Sequence, residues 1–204
     1  MVLPWDKDFL SLEIELSSKT ILYASEGQNV NNVARSIVKK ILGNIDLKDY
    51  SNLDLEEIAS QNFIFLYPKD KSVIDIDQIR DSFKYLFLKS NSKRLLYLEN
   101  IERVETRTFN TLLKFSEEAD KNMIICMATN NINIVPKTIQ SRFQKLKVPK
   151  PSNDIVKEHL INLGLNFDEQ KNDFVLQNLN LLSEDEDKNI NELFLKFDEY
   201  EAKK

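Results

Sequence analysis

Three short stretches of this chain are apolar at nearly every position: Phe63-Ile64-Phe65-Leu66-Tyr67, Arg94-Leu95-Leu96-Tyr97-Leu98 and Met123-Ile124-Ile125-Cys126-Met127-Ala128. A strand with one face in water alternates apolar and polar residues. Runs this short and this continuous fit strands covered on both faces. Thr20-Ile21-Leu22-Tyr23-Ala24 has the same profile, and Gln144 to Val148 reads as a last strand. The segments between carry a helical period instead. Val33, Ala34, Ile37, Val38, Ile41 and Leu42 share one helical face, which Gly43-Asn44 is expected to end. Ile76, Ile79, Phe83 and Leu86 share another, opened by Asp75 three residues before Gln78 in a capping-box-like pattern. Phe109, Leu112, Leu113 and Phe115 point inward from a helix over Glu105 to Glu118. An amphipathic helix over Asp6 to Leu16, a short one around Asp54 to Ala59 and a helical turn over Lys137 to Arg142 complete this part. Apolar strands alternating with helices predict an α/β fold: a parallel sheet sandwiched by helices, joined by right-handed crossovers.

Pro149-Lys150-Pro151 is stiff and poor in helix hydrogen-bond donors, which places a domain boundary there. Residues 1–149 form the α/β domain on this reading, and 150–204 a small helical one. Its helices are marked by Ile155, His159 and Leu160, by Phe174, Val175, Leu179 and Leu182, and by Ile190, Leu193, Phe194 and Phe197. The acidic run Ser183 to Asp187 reads as a solvated loop. Of 28 basic and 33 acidic residues, 7 and 13 lie from Lys150 onward, so the first part is near neutral and the tail carries the acidity. Nothing demands the basic face of a free-standing nucleic-acid binder.

Several function classes drop out. With 3 glycines a glycine-rich phosphate loop has little material, and a single cysteine, Cys126, allows neither a disulfide framework nor a tetrathiolate zinc site. The sole histidine, His159, cannot build a metal site or a triad by itself. No apolar run approaches the roughly 20 residues that cross a bilayer. The start, Met1-Val2-Leu3-Pro4-Trp5-Asp6, lacks the basic and apolar regions of a signal peptide, so a cytoplasmic location is expected.

Close behind the Met123 run lies Thr138-Ile139-Gln140-Ser141-Arg142-Phe143-Gln144. An arginine on a short helical turn is well placed to reach out of its own fold, and guanidinium offers a rigid fork of donors suited to phosphate oxygens. The plainer alternative is a structural ion pair. With Ile76-Asp77-Gln78-Ile79-Arg80 and Asn110-Thr111-Leu112-Leu113-Lys114-Phe115-Ser116-Glu117-Glu118, this segment resembles motifs of the DNA polymerase III delta prime family, clamp-loader subunits of the AAA+ superfamily. Their patterns are Ile-Asp-Gln-Ile-Arg, Asn-Ala-Leu-Leu-Lys-x-Leu-Glu-Glu and Thr-Ile-x-Ser-Arg-Cys-Gln, with Phe143 here in place of the cysteine. The likeness spans about Ile74 to Pro149.

The resemblance implies an AAA+ domain followed by a lid, and an arginine finger at Arg142, with Ser141, offered to a neighbouring ATPase subunit. The finger is expected exposed at the domain edge and unpaired in the isolated chain. Asn131 falls where the superfamily carries a polar sensor residue; an asparagine satisfying its own turn is the alternative. The nucleotide site is expected to be degenerate. A P-loop needs Gly-x-x-x-x-Gly-Lys-Ser/Thr, and here Gly27 is the one glycine of the stretch, with Val30 at the lysine position and Asn31 at the hydroxyl position. Glu99-Asn100 stands where an active ATPase carries an acidic pair, and an asparagine is no carboxylate base. Lost charge, metal ligand and water activation together imply no intrinsic ATPase, no cofactor and no metal. The zinc module that many family members carry between the first helix and the second strand is missing. A helical collar, roughly 100 residues by ordinary domain size, is not expected before Lys204; the chain is then a fragment or a reduced homologue. The expected role is a stator-like subunit within a DNA polymerase III holoenzyme. Its partners would be gamma/tau-type ATPase subunits and the delta subunit, with the sliding clamp and primer-template DNA met through the assembly. A standalone AAA+-derived interaction protein and an ATPase with an atypical pocket are the alternatives.

Overall fold

The computed structural model describes residues 4–11, 16–25, 28–68, 73–86, 92–162, 175 and 178–179. Five strands form one sheet: β1 (Lys19–Tyr23), β2 (Phe63–Leu66), β3 (Arg94–Leu98), β4 (Met123–Thr129) and β5 (Gln144–Lys147). Their spatial order is β2-β3-β4-β1-β5, and all four pairings are parallel. Parallel neighbours need crossovers, which α2 (Val30–Asp46), α3 (Ile76–Leu86) and α4 (Thr108–Glu118) supply. Short helices α1 (Pro4–Ser11), α5 (Lys137–Gln140) and α6 (Asn153–Asn162) complete the described α-helices, and 3-10 turns lie at Leu55–Glu57, Ile101–Arg103 and Ile132–Ile134. The α/β sandwich expected from the apolar runs is the fold observed. No helix among the described residues is long and apolar enough to cross a membrane.

Each face of the sheet carries its own core. Leu22, Leu95, Tyr97, Cys126 and Ala128 point to the face covered by α2, where Val30, Val33, Ala34, Val38 and Leu42 meet them. Ile21, Leu96, Leu98, Ile125 and Met127 point to the other, beneath Ile79 and Phe83 of α3 and Phe109 and Leu112 of α4. The alternation along each strand is between two apolar layers, which is why the sequence shows no polar beat. Fully burying one such side chain stabilises the fold by roughly 1.5–3 kcal/mol. Cys126 is free and buried, and burial pushes its thiol up to about 12.

Local chemistry sets the helix ends. At α3, Asp75 Oδ1 accepts from the N–H groups of Asp77 and Gln78, both at 2.9 Å, while Gln78 Oε1 accepts from the Asp75 N–H at 3.0 Å. That is the expected capping box. The expected stop at Gly43-Asn44 is corrected: α2 runs on to Asp46, and Leu47 closes it in the left-handed region at φ 54° and ψ 43°. Gly43 serves a different purpose. A Cβ on it would lie 2.7 Å from the Lys48 carbonyl oxygen, where the chain folds back on the helix. The helix expected around Asp54 to Ala59 is only a 3-10 turn, Leu55–Glu57. This segment is pinned instead by Asp46, which accepts from Tyr50 Oη and Asn62 Nδ2, both at 2.8 Å, and by buried Tyr50, Leu55 and Ile58. α4 begins at Thr108 rather than Glu105, and the opening helix ends at Ser11 in the described residues.

Beyond the prolines, α6 makes contact with the opening helix. His159 meets the Trp5 ring edge-on at 5.5 Å, and Val156 and Leu160 are buried. The helices expected at Phe174 to Leu182 and Ile190 to Phe197 and the Ser183 to Asp187 loop fall mostly or wholly outside the described residues.

Gly43→Ala is expected to lower stability by about 1–3 kcal/mol in urea unfolding, although alanine is the better helix former, because the blocking atom is backbone. Cys126 in the native protein is expected to resist alkylation by iodoacetamide at pH 8 and to react once unfolded, since burial removes the thiolate.

Candidate functional site

In an open parallel sheet, ligands sit beyond the carboxyl ends of the strands, where the strand order reverses. Here β3, β4 and β1 are neighbours, so the segments that follow Leu98, Thr129 and Tyr23 converge. This brings together Val30, Asn31, Glu99 and Asn100. Glu26 and Gly27 lie outside the described residues.

A P-loop leaves the first N–H groups of its helix free for phosphate. In this chain side chains occupy them. Asn29 Oδ1 accepts from the Asn31 N–H at 3.0 Å, and Asn130 Oδ1 accepts from the Val30 N–H at 2.9 Å. Val30 is fully buried in the core under α2, so no cation projects from the position expected to correspond to the P-loop lysine. Asn31 Nδ2 donates to Asn100 Oδ1 at 2.9 Å, and Asn100 adopts the left-handed region at φ 54° and ψ 52°, which asparagine tolerates. Asn31 Oδ1 is buried with no hydrogen-bond partner. The turn leading in is tied down as well: Gln28 Oε1 accepts from the Ser25 N–H at 3.2 Å, and its Nε2 donates to the Pro149 carbonyl at 3.0 Å.

Glu99 is buried and fully committed. Arg35 grips it through two bonds, Nε to Oε2 at 2.6 Å and Nη2 to Oε1 at 2.9 Å, while Tyr97 Oη donates to Oε2 at 3.2 Å. Arg35 also spans to Glu56 at 2.9 Å and lies over the Phe65 ring, 5.3 Å from its centroid. Burial alone would lower the Arg35 pKa. The hydrogen bonds and charges of Glu99 and Glu56 outweigh it and hold the guanidinium above its ordinary range. Burial, then the Glu99 charge, drives the Tyr97 hydroxyl well above its usual value. The nearby Glu102 accepts from Thr129 Oγ1 at 2.8 Å.

Arg35 and Asn130 are absent from the sequence reading. Arg35 follows Asn31 by one helical turn, so α2 periodicity puts both on the side facing the strand ends. Nothing in the sequence distinguishes Asn130 from Asn131. Asn131, expected as the sensor-like residue, is exposed and accepts from the Asn133 N–H at 3.1 Å, capping its own turn; the side chain that reaches the start of α2 is that of Asn130.

Arg142 lies at the other end of the sheet. β5 runs parallel to β1 with Gln144 opposite Thr20 and Lys147 opposite Tyr23, so the residues just before Gln144 sit at the amino ends of the strands. The guanidinium is exposed, as expected, but it is not unpaired. Its Nε lies 2.9 Å from Glu117 Oε1 near the end of α4, and Nη1 donates to the Thr138 carbonyl at 3.0 Å. Ser141 Oγ donates to the same carbonyl at 3.1 Å. The Arg142 and Glu117 side chains are 43% and 51% exposed. Such a surface pair contributes about 0–1 kcal/mol and exchanges partners readily.

A family model described as DNA polymerase III, delta subunit, matches residues 12–152. DNA polymerase III subunit gamma of Buchnera aphidicola subsp. Baizongia pistaciae is 33% identical over 101 residues, covering 48% of this chain and 27% of that protein. The gamma subunit of Buchnera aphidicola subsp. Schizaphis graminum is 26% identical over 161 residues, covering 74% and 44%. The chain thus spans less than half the length of these curated relatives. Among solved structures, a DNA polymerase III gamma subunit-related protein from Thermotoga maritima has the same fold, with a TM-score of 0.52 at 18% identity, covering 88% of this chain and 54% of that one.

Arg35→Ala leaves the Glu99 carboxylate buried without a counter-charge and is expected to cost about 2–4 kcal/mol in urea unfolding. The double variant Arg35→Met/Glu99→Leu is expected to recover most of that loss, because the charge goes with its partner. Additive losses would show that the two residues act independently.

Proposed function

The chain belongs to the DNA polymerase III delta-subunit family, among the clamp loaders of the AAA+ superfamily, and from that premise we propose that it is a delta prime-like stator. On this reading it hydrolyses no nucleotide itself. It presents Arg142, with Ser141, to the nucleotide of an adjacent gamma/tau-type ATPase subunit. The delta subunit, the sliding clamp and primer-template DNA are reached through the assembly.

The observation that carries the proposal is the separation of the two ends of the sheet. The cluster of Val30, Asn31, Glu99 and Asn100 lies at the carboxyl ends of β1, β3 and β4, and Arg142 at the amino end of β5. The lengths of β5 and β1, four and five residues, separate them by roughly 13–16 Å of sheet, at about 3.3 Å per residue. Arg142 therefore serves a neighbour's phosphate or none. At its own site, the groups that would receive a nucleotide are engaged with one another: helix N–H groups with Asn29 and Asn130, and Glu99 with Arg35. Displacing them would expose a buried carboxylate, which supports the reading that this chain neither binds nor turns over ATP. A trans arginine would then make the neighbour's hydrolysis depend on assembly, by neutralising charge that develops on the transferred phosphoryl group.

Co-purification with the ATPase subunit followed by Arg142→Ala tests the finger. Assembly is expected to persist while DNA-stimulated hydrolysis falls by about 10³-fold. The isolated variant is expected to lose under about 1 kcal/mol of stability. Hydrolysis unchanged in an intact complex would remove Arg142 from the role. Titration of the isolated chain with MgATP checks the other half: no binding is expected, whereas micromolar affinity with turnover would replace the stator by an ATPase with an atypical pocket.

A further inference from the structure

A concave feature runs along α2. It is a cleft of about 1040 Å³ between α2 and the 47–54 loop, reaching from Asn32 and Arg35 of the strand-end network to Lys39, Lys40, Leu47, Lys48 and Ser51. Its size matches the upper range of ligand pockets, about 300–1,000 Å³, and so accommodates several residues of an extended peptide.

Leu47 is the residue that the fold does not explain. It closes α2 with φ 54°, its N–H and that of Lys48 both bonded to the Gly43 carbonyl. That position favours glycine or asparagine, because a Cβ crowds the backbone in the left-handed region. Packing offers nothing in return, since Leu47 is 90% exposed. Leu53, on the same loop, is 41% exposed. A side chain that suits neither its backbone nor its solvent points to a contact outside the chain.

Among the described residues the lysines of the cleft make no direct ion pair, although Lys48 lies close enough to Asp46 for its charge to act on that carboxyl. Lys40 and Lys48 are exposed, and none of Lys39, Lys40 and Lys48 belongs to an ion pair among the described residues. Lys39 reaches only the Ser51 carbonyl, at 3.5 Å. Arg35 at one side is already held by Glu56 and Glu99. Two carboxylates face the cleft, Asp49 and Asp54, and Asp49 accepts from the Ser51 N–H at 2.9 Å. With three lysines against two lining carboxylates, the cleft carries a slight positive excess around Leu47 on a chain of formal net charge -5.

We propose that this cleft docks an acidic peptide segment of a partner protein, one apolar side chain lying against Leu47 and flanking carboxylates meeting Lys39, Lys40 and Lys48. A nucleic-acid strand would satisfy the lysines but leave Leu47 in water, and its many charges would meet a net-acidic molecule. The inference does not depend on Arg142.

Fluorescence anisotropy of the full chain with a fluorescein-labelled Glu-Asp-Leu-Glu-Asp-Phe peptide tests it. Saturable binding is expected, weakening as salt rises from about 50 to about 200 mM. Lys40→Glu/Lys48→Glu is expected to weaken it about tenfold or more. Leu47→Gly is the decisive variant: affinity falls about fivefold or more while Tm stays level or rises, since glycine suits the left-handed position. A peptide with both apolar residues changed to serine is expected to bind as poorly. Absence of saturable binding, unchanged affinity in Leu47→Gly, or a lowered Tm in that variant would overturn the proposal. So would tighter binding of a single-stranded deoxythymidine oligonucleotide that is indifferent to Leu47→Gly.

Discussion

Every strand in the middle of this sheet is sealed from water on both faces, and the rest of the architecture follows from that. Two apolar layers per strand require helices above and below, and parallel pairing requires each connection to cross the sheet. The polar chemistry of the sheet itself is thereby pushed to the two ends of its strands. What lies beyond Tyr23, Leu98 and Thr129 must accommodate the start of α2 and the buried Glu99 in a small space.

That space is filled by amides and one ion-pair network. Asn29 and Asn130 take the helix N–H groups, Asn31 pairs with Asn100, and Arg35 ties α2 to the end of β3 through Glu99. Phosphate, metal and lysine would do comparable work in an active nucleotide site: they would neutralise the helix terminus and give the acidic residues a cation. In this molecule the compensating groups are covalently part of the chain. A guanidinium with two bonds to a buried carboxylate is costly to displace, because whichever charge is left behind has lost its water. The opposite end of the sheet is built on another principle. Arg142 and Glu117 are both exposed and weakly held, so the arginine can trade one anionic partner for another with little effect on the fold.

The strands were legible because burial on both faces leaves an unbroken apolar signature, and the helices because Ile76, Ile79 and Phe83, or Phe109 and Leu112, repeat at their own period. The α3 capping box could be read from Asp75 and Gln78, since its partners are three residues apart. Gly43 misled for a physical reason. Glycine favours helix ends when it takes the left-handed position, but here it is needed four residues earlier, where a backbone oxygen approaches too closely for a Cβ.

The sequence by itself therefore determined the sheet, its helices and which side chains (Val30, Asn31, Glu99 and Asn100) stand at the strand ends, because each depends on residues close together in the chain. Which asparagine caps α2, what compensates Glu99 and what holds Arg142 were decided only in three dimensions. Val30 and Asn130 are 100 residues apart, Arg35 and Glu99 are 64 apart, and the choice between Asn130 and Asn131 rests on how β4 ends beside β1. Side-chain direction at the end of a strand changes with every residue, and a linear pattern cannot carry that information across the sheet.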